Sequence, residues 1–257
     1  MDKRTFVDQL GTSLEFHLPV KRIISVVPSQ TELLYHLGLK DEVVGITKFC
    51  VHPIHWLKEK SNVGGTKNFH FERIDSLRPD LIIGNKEENY QEGIDQLKRK
   101  YPVWMSDIIT LDDAFSMITS ISVITGKQNK GLELVSELKE RFESVATIKA
   151  RALYLMWKNP WMGAGKFTFI NSMMEGIGLT NVLQSTRYPE LQAEEIQKLN
   201  PEVVLLSSEP FPFNERHRAE LKQHLPKAKI ILVDGEMFSW YGSRLLYAPG
   251  YFKSLTF

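Results

Sequence analysis

Residues 71–83 read FERIDSLRPDLII, and residues 193–205 read AEEIQKLNPEVVL. Set against each other at an offset of 122 residues, Glu72, Ile74, Leu77, Pro79 and Asp80 meet Glu194, Ile196, Leu199, Pro201 and Glu202. Both copies follow one physical plan. A short helix carries Ile and Leu on one face, a proline bars its predecessor from continuing the helix, and an apolar run then has the character of a buried strand. A helix feeding a strand, written twice half a chain apart, requires two sheets to receive the strands. In a chain of 257 residues this means two domains of ordinary size, about 100 to 150 residues each.

The remaining periodicity agrees. In the first half, 22–27, 42–46, 80–84 and the run near Val103 are predicted strands, with helices over 29–37 and 91–100. In the second half, strands over 152–157, 202–207 and 229–234 alternate with helices over 169–176 and 215–224. Such alternation marks a parallel sheet covered by helices. Between the halves, Phe115, Ile118, Ile121 and Ile124 recur at helical spacing over 112–125. After a break at 126–130, a second helix is predicted over 131–149, with Leu132, Val135, Leu138, Phe142 and Val145 on its apolar face. At about 1.5 Å per residue it would span roughly 27 Å, enough to bridge two domains. The expected fold class is α/β: two Rossmann-like lobes with parallel sheets, 1–111 and 150–257, joined by a long backbone helix within 112–149.

Composition narrows the function. A formal charge of +1, with no Lys/Arg block, argues against nucleic acid as a partner. The single cysteine, Cys50, rules out an internal disulfide and any CxxC motif, and reads as a small buried hydrophobe. The opening MDKRTFVDQLGTSLEFHLP has no apolar leader core, and no later run approaches the roughly 20 apolar residues of a spanning helix. As written, the chain is expected in the cytoplasm; one from which a leader had been removed would read the same.

Several motifs invite a chemical reading. Ser29-Gln30-Thr31-Glu32 follows a strand and Pro28, and is expected to form a capping box; the same helix end would also suit an anion. The loop NPWMGAGKFTF at 159–169 lacks the first glycine of a phosphate loop and has Phe167 after Lys166, so nucleotide binding is not expected. Its aromatic neighbours Trp157, Trp161 and Phe167, with Trp240 and Tyr241 from GEMFSWYGSR, suit an apolar or conjugated ligand face as well as they suit ordinary packing. His52 and His55 have HxxH spacing, but Pro53 disfavours a regular helical display, and the third ligand that a zinc site would want, among His70, His217 and His224, cannot be placed from sequence; a single axial or hydrogen-bonding role for His52 is favoured over such a site. No GxSxG, HExxH or paired carboxylates point to a hydrolase, and neither an enzyme nor a catalytic cofactor is expected. Glu72 and Glu194 open their helices, where the dipole favours a carboxylate by about 0.3–1 kcal/mol. Two equivalent acids, one per lobe, equally mark symmetric docking points.

RIISVVPSQTELLYHLGLKDEVVGIT, then HP, then NVGG and FERIDSLRPDLII, resembles the N-lobe of the helical-backbone substrate-binding proteins of ABC importers, above all the cobalamin and iron-siderophore group. MWKNPWMGAGKFTFINSMMEGIGLTNVL, the EEIQKLNPEVVLL module and the closing GEMFSWYGSR fit the C-lobe, so the resemblance runs from about Arg22 to Leu255. It implies two α/β lobes joined by one long helix, a ligand in the cleft between them, and one acid per lobe docking to arginines of a permease dimer that works with its ATPase. Those acids match Glu72 and Glu194.

The implied ligand is a metal-containing organic complex: cobalamin or another corrinoid, a ferric siderophore or haem. It would be held by Trp157, Trp161, Trp240, Tyr241 and His52, with Arg244 or the Ser29 helix end meeting negative groups. Cobalamin binders tend to place an aromatic where this chain has His52 and Met237, which leaves haem or another chelate open. The resemblance also implies a monomer working in the periplasm or cell envelope. The rival readings are a free zinc or manganese receptor using His52 and His55, and a cytoplasmic protein of this fold that sequesters or processes a corrinoid or metal chelate.

Overall fold

Runs of Val, Ile and Leu become the strands of two separate sheets, because such segments can satisfy their backbone only by pairing and their side chains only under covering helices. The computed structural model describes residues 3–145 and 148–256. It divides into two units: Met1–Ile108 with Asp112–Leu138 and Tyr241–Arg244, and Ile109–Leu111 with Lys139–Trp240 and Leu245–Phe257.

The sheet of the first unit has the order Ser61–Asn62, Val43–Ile46, Ile23–Ser25, Leu81–Asn85 and Val103–Ser106, all parallel. In the second unit Leu179–Asn181, Ala150–Trp157, Val203–Ser207 and Lys229–Val233 form a parallel set in the same relative order. Trp161–Gly163 and Glu190–Leu191 extend that sheet antiparallel, so the stretch expected as a loop around Trp161 is instead a short strand. Its pairing of Leu155 with Gly163 and of Trp157 with Met162 folds it back on the strand before it. A further hairpin, Lys3–Val7 with Ser13–His17, was not foreseen; it is mostly exposed and carries little apolar alternation.

The duplicated module takes the same form twice. Its helices are Phe71–Leu77 and Ala193–Leu199, and its strands begin at Leu81 and Val203. Each helix ends on a left-handed residue, Arg78 at φ 44° and Asn200 at φ 45°. The proline was expected to bar its predecessor from continuing the helix, and a left-handed C-cap is how the stop is made. An arginine secures each stop. The Arg22 Nε donates to Leu77 O at 2.7 Å while its amide donates to Asp80 Oδ2 at 3.0 Å. Likewise Arg151 Nη2 donates to Leu199 O at 2.8 Å and its amide to Glu202 Oε2 at 2.7 Å.

Two expectations are corrected. The anticipated Ser29–Glu32 capping box does not form: the helix is Pro28–His36, its N-cap is Val27, and no side chain caps it. Pro28 at the first position needs no amide partner, and Thr31 Oγ1 donates back to Val27 O at 2.9 Å. The connector consists of helices Leu111–Ile124 and Gln128–Glu143, the second shorter than the predicted 131–149. Ser144 Oγ donates to Arg141 O at 2.8 Å and closes the last turn, and the Ile148 amide goes to Ile177 O at 2.7 Å. Residues 146–147 of the predicted helix lie outside the described residues. Leu138 of the predicted face is buried and Val135, Phe142 and Val145 are half-buried, but Leu132 is exposed, and Gly131 and Leu134 complete the buried stripe. Gly131 sets that stripe, since a Cβ there would fall 2.1 Å from Ser122 Oγ.

Ile74 packs with Ile24, Ile82 and Val103 in one core, and Ile196 with Leu153, Val204 and Leu206 in the other. Both are 0–1% exposed. Ile74→Ala and Ile196→Ala are each expected to cost about 2–5 kcal/mol through lost burial and the cavity left behind. Urea unfolding checks this, and a cost below about 1 kcal/mol at either site would contradict the equivalence of the two copies.

Candidate functional site

In open parallel sheets, ligands are met beyond the carboxyl ends of the strands, where neighbouring connections diverge.

In the first unit, the Ile23–Ser25 strand passes through Val26 and Val27 into the Pro28–His36 helix, and the neighbouring Leu81–Asn85 strand leads to Glu87 and Glu88. Beneath this edge lies a buried polar layer. Thr31 Oγ1, whose proton goes to Val27 O, lies 2.8 Å from Ser25 Oγ and 3.0 Å from Cys50 Sγ, and Gln30 and Asn85 both donate to Ser106 Oγ. Cys50 is fully buried, and burial pushes its thiol up against the opposing effect of Thr31 and Thr47, which leaves it an inert packing group.

Tyr241 and Arg244 belong to this unit although they follow the last strand of the other. Tyr241 is buried, lies against Ser29, and donates its hydroxyl to Glu88 Oε1 at 2.8 Å. Burial, and after it the negative charge of Glu88, raises the Tyr241 phenol well above its ordinary range. Arg244 grips Glu32 with two prongs, Nε to Oε2 at 2.9 Å and Nη2 to Oε1 at 2.8 Å. The charge expected to meet a ligand anion is therefore already neutralised within the protein. His52 is half-buried, while His55 is exposed and sets its ring edge-on to Tyr35. Among the described residues, no group of three or more His, Cys, Asp or Glu side chains is placed to hold a metal ion.

In the second unit Trp157 ends the Ala150–Trp157 strand and is partly exposed, packing edge-on to Phe211 at 5.8 Å. Trp161 is half-buried and stacks on Phe213 with an interplanar angle of 5°, while Lys158 Nζ lies 5.1 Å from its ring centre. Phe211, Phe213 and the edge of His217 complete the cluster. Sequence reasoning passed over Phe211 and Phe213; the signal was FPF just after the Val203–Ser207 strand.

Trp240 stands apart from this cluster. It is 9% exposed, and its Nε1 donates to Glu209 Oε1 at 3.0 Å, an oxygen that also accepts from Ser239 Oγ at 2.8 Å. Glu209, also unforeseen, has its carboxyl raised above the ordinary 4.5, first by burial and then by the charges of Glu236 and Asp234, against the two hydrogen bonds that favour ionisation.

Glu72 and Glu194 are exposed in the first turns of the paired helices, at the second position of each. A hollow of about 720 Å³ in the first unit, lined by Phe16, His17, Arg22, Pro79 and Tyr101, opens at the amino ends of the strands, away from the predicted residues.

Comparison with known proteins fixes the class. The periplasmic binding protein family matches residues 23–229, and the chain belongs to that family. A vitamin B12-binding protein of Vibrio parahaemolyticus is 28% identical over 199 residues, 74% of this chain and 71% of the relative. An uncharacterized ABC transporter substrate-binding lipoprotein of Bacillus subtilis, YvrC, is 28% identical over 201 residues; the match covers 72% of this chain but only 63% of that protein. Among solved structures, a periplasmic heme-binding protein from Pseudomonas aeruginosa superimposes with a TM-score of 0.76 at 19% identity, covering 92% of this chain and 94% of the other. The two-lobed α/β fold expected from the sequence is thus the fold of this family.

The raised carboxyl of Glu209 has a definite sign. Between its unfolded value near 4.5 and its higher folded value, the native state holds a proton that the unfolded state has released, so stability falls as pH rises through that window. Glu209→Gln keeps an acceptor for Trp240 and removes the ionisation. Thermal melts between pH 4 and 8 should show the decline lessened in the variant; an unaltered profile would remove Glu209 as its source.

Proposed function

We propose that the protein is the substrate-binding receptor of an ABC importer for a metal-containing organic complex, a corrinoid, haem or ferric siderophore, and that it binds without performing chemistry on its ligand. The observation that carries the reading is the duplicated module, which puts an exposed acid, Glu72 and Glu194, at the same position of the same helix in each unit. Helix capping by the dipole asks for one such acid per helix and accounts for neither their matched exposure nor the matched clamps behind them. A permease of two like subunits offers two like sites, and matched acids fit them. The receptor then works outside the cytoplasmic membrane as a single chain. Among the described residues, no helix is long and apolar enough to cross a membrane.

The aromatic cluster around Trp157 and Trp161 supports a conjugated or apolar ligand, since partly exposed rings braced by other rings lose little freedom on binding. The free-metal reading finds less support, because His217 is drawn into the cap at Asn214, His224 ends a helix and His55 packs on Tyr35.

Two experiments test the reading. The protein is titrated with cyanocobalamin, dicyanocobinamide, haemin, ferric hydroxamate siderophores and zinc, following tryptophan emission and melting temperature together. One chelate should saturate at submicromolar Kd, and Trp157→Ala with Trp161→Ala should weaken it about tenfold or more without unfolding the chain; a double variant that binds as before would remove these rings from the site. In the second, Glu72→Arg with Glu194→Arg should leave ligand affinity intact and abolish stimulation of the cognate permease ATPase. Stimulation that survives both charge reversals would sink the docking role.

A further inference from the structure

The segment Tyr241–Arg244 is seated on the carboxyl edge of the first unit's sheet by a set of unusually specific contacts. Glu32, on the helix that follows the Ile23–Ser25 strand, holds Arg244; Glu88, beyond the neighbouring Leu81–Asn85 strand, holds Tyr241. Between them Gly242 has φ +104° and passes so close to the Pro28–His36 helix that a Cβ would lie 3.3 Å from Ser29 O and from Leu33 Cβ. Ser243 and Leu245 are buried on either side of Arg244. The chain's own segment thus occupies the crevice where the connections from two adjacent strands diverge, the place at which an open sheet ordinarily meets its ligand.

The consequence is electrostatic. A guanidinium at this edge would, alone, be the natural partner of a ligand carboxylate, which it would grip through two parallel hydrogen bonds. Here that grip is filled by Glu32, with side chains only 13% and 14% exposed. A ligand carboxylate arriving at Arg244 would meet a neutral pair, and could engage the arginine only by displacing Glu32 and leaving a second half-buried carboxylate without its partner. We propose that Glu32 is a specificity-determining residue, and that by neutralising Arg244 it turns the site against ligands bearing peripheral carboxylates and toward chelates whose edge is amide-like or uncharged. This rests on the receptor reading above and adds the charge class of its substrate. Selectivity of this kind works by penalising the wrong ligand rather than by adding contacts to the right one.

The test uses the full chain and two planar tetrapyrrole-type probes of opposite edge chemistry: haemin, with two propionates, and dicyanocobinamide, whose edge carries amides. Glu32→Gln preserves shape and an acceptor for Arg244 while removing the charge; Glu32→Gln with Arg244→Gln removes both charges. Relative to the unaltered protein, Glu32→Gln should shift the ratio of the two Kd values toward haemin by about tenfold, and the double variant should return it. A ratio that stays within about twofold, a shift that persists without Arg244, or a large loss of haemin binding on Arg244→Gln alone would each overturn the proposal. If some chelate binds the unaltered protein while the ratio stays put, the role of Glu32 fails and the receptor stands; if no chelate binds either protein, both fall together.

Discussion

Each unit depends on the way one helix is stopped. A parallel sheet obliges every strand to be entered from the same edge, so the helix before it must end sharply and hand the chain over in register. In both copies of the module a left-handed residue does this before a proline, and an arginine from the neighbouring strand's entry takes up a last-turn carbonyl while its amide is held by the acid after the proline. Four groups are thereby tied at one corner: helix end, turn, and the starts of two adjacent strands. The pairing of Ile23 with Leu81, and of Ala152 with Val203, follows from that corner. The opposite edge of the sheet, where the candidate binding residues lie, inherits its register from it.

This explains why some parts of the molecule were legible in sequence. Helices Phe169–Gly176 and Glu215–His224 and the interior strands lie where hydrophobic periodicity and burial coincide, and their limits were read within a residue or two. The second connector helix was legible only in part: Leu138 is buried and Val135 and Phe142 half-buried on the predicted face, but Leu132 is exposed, and a glycine joins the packed stripe. No hydrophobicity pattern assigns a buried face to glycine; only the closeness of Ser122 does. Ser29 and Glu32 matched a capping motif because that motif is local, and the partner that won Glu32 lies 212 residues away.

The same distance in sequence hid most of the surroundings of the candidate residues in each unit. Trp157, Trp161, Trp240, Tyr241 and Arg244 were visible as residue types at strand ends, but their second partners were not. Phe211 and Phe213 brace the first two, Glu209 holds the third, and Glu88 and Glu32 hold the last two. In each case a residue with a ligand-facing chemistry is fixed by a side chain from a different strand end. Such fixing is what separates a preformed site from a collection of exposed aromatics, since side chains already immobilised have less freedom to lose on binding.

The charges at these edges are also largely engaged. Arg244 is paired with Glu32, Lys158 with Glu220, Lys86 with Asp107, and the Glu209 carboxyl, raised by burial, is bound by Ser239 and Trp240. In each unit, ionic groups that already answer one another can draw little affinity from long-range attraction, which in any case is screened beyond about 8 Å at physiological salt. What remains to supply binding energy is aromatic surface, dispersion and hydrogen bonding to uncharged groups. Under the proposed function that balance favours a large, rigid, partly apolar complex over a small ion, because only the former would offer enough area for rings such as Trp157 and Trp161 to cover.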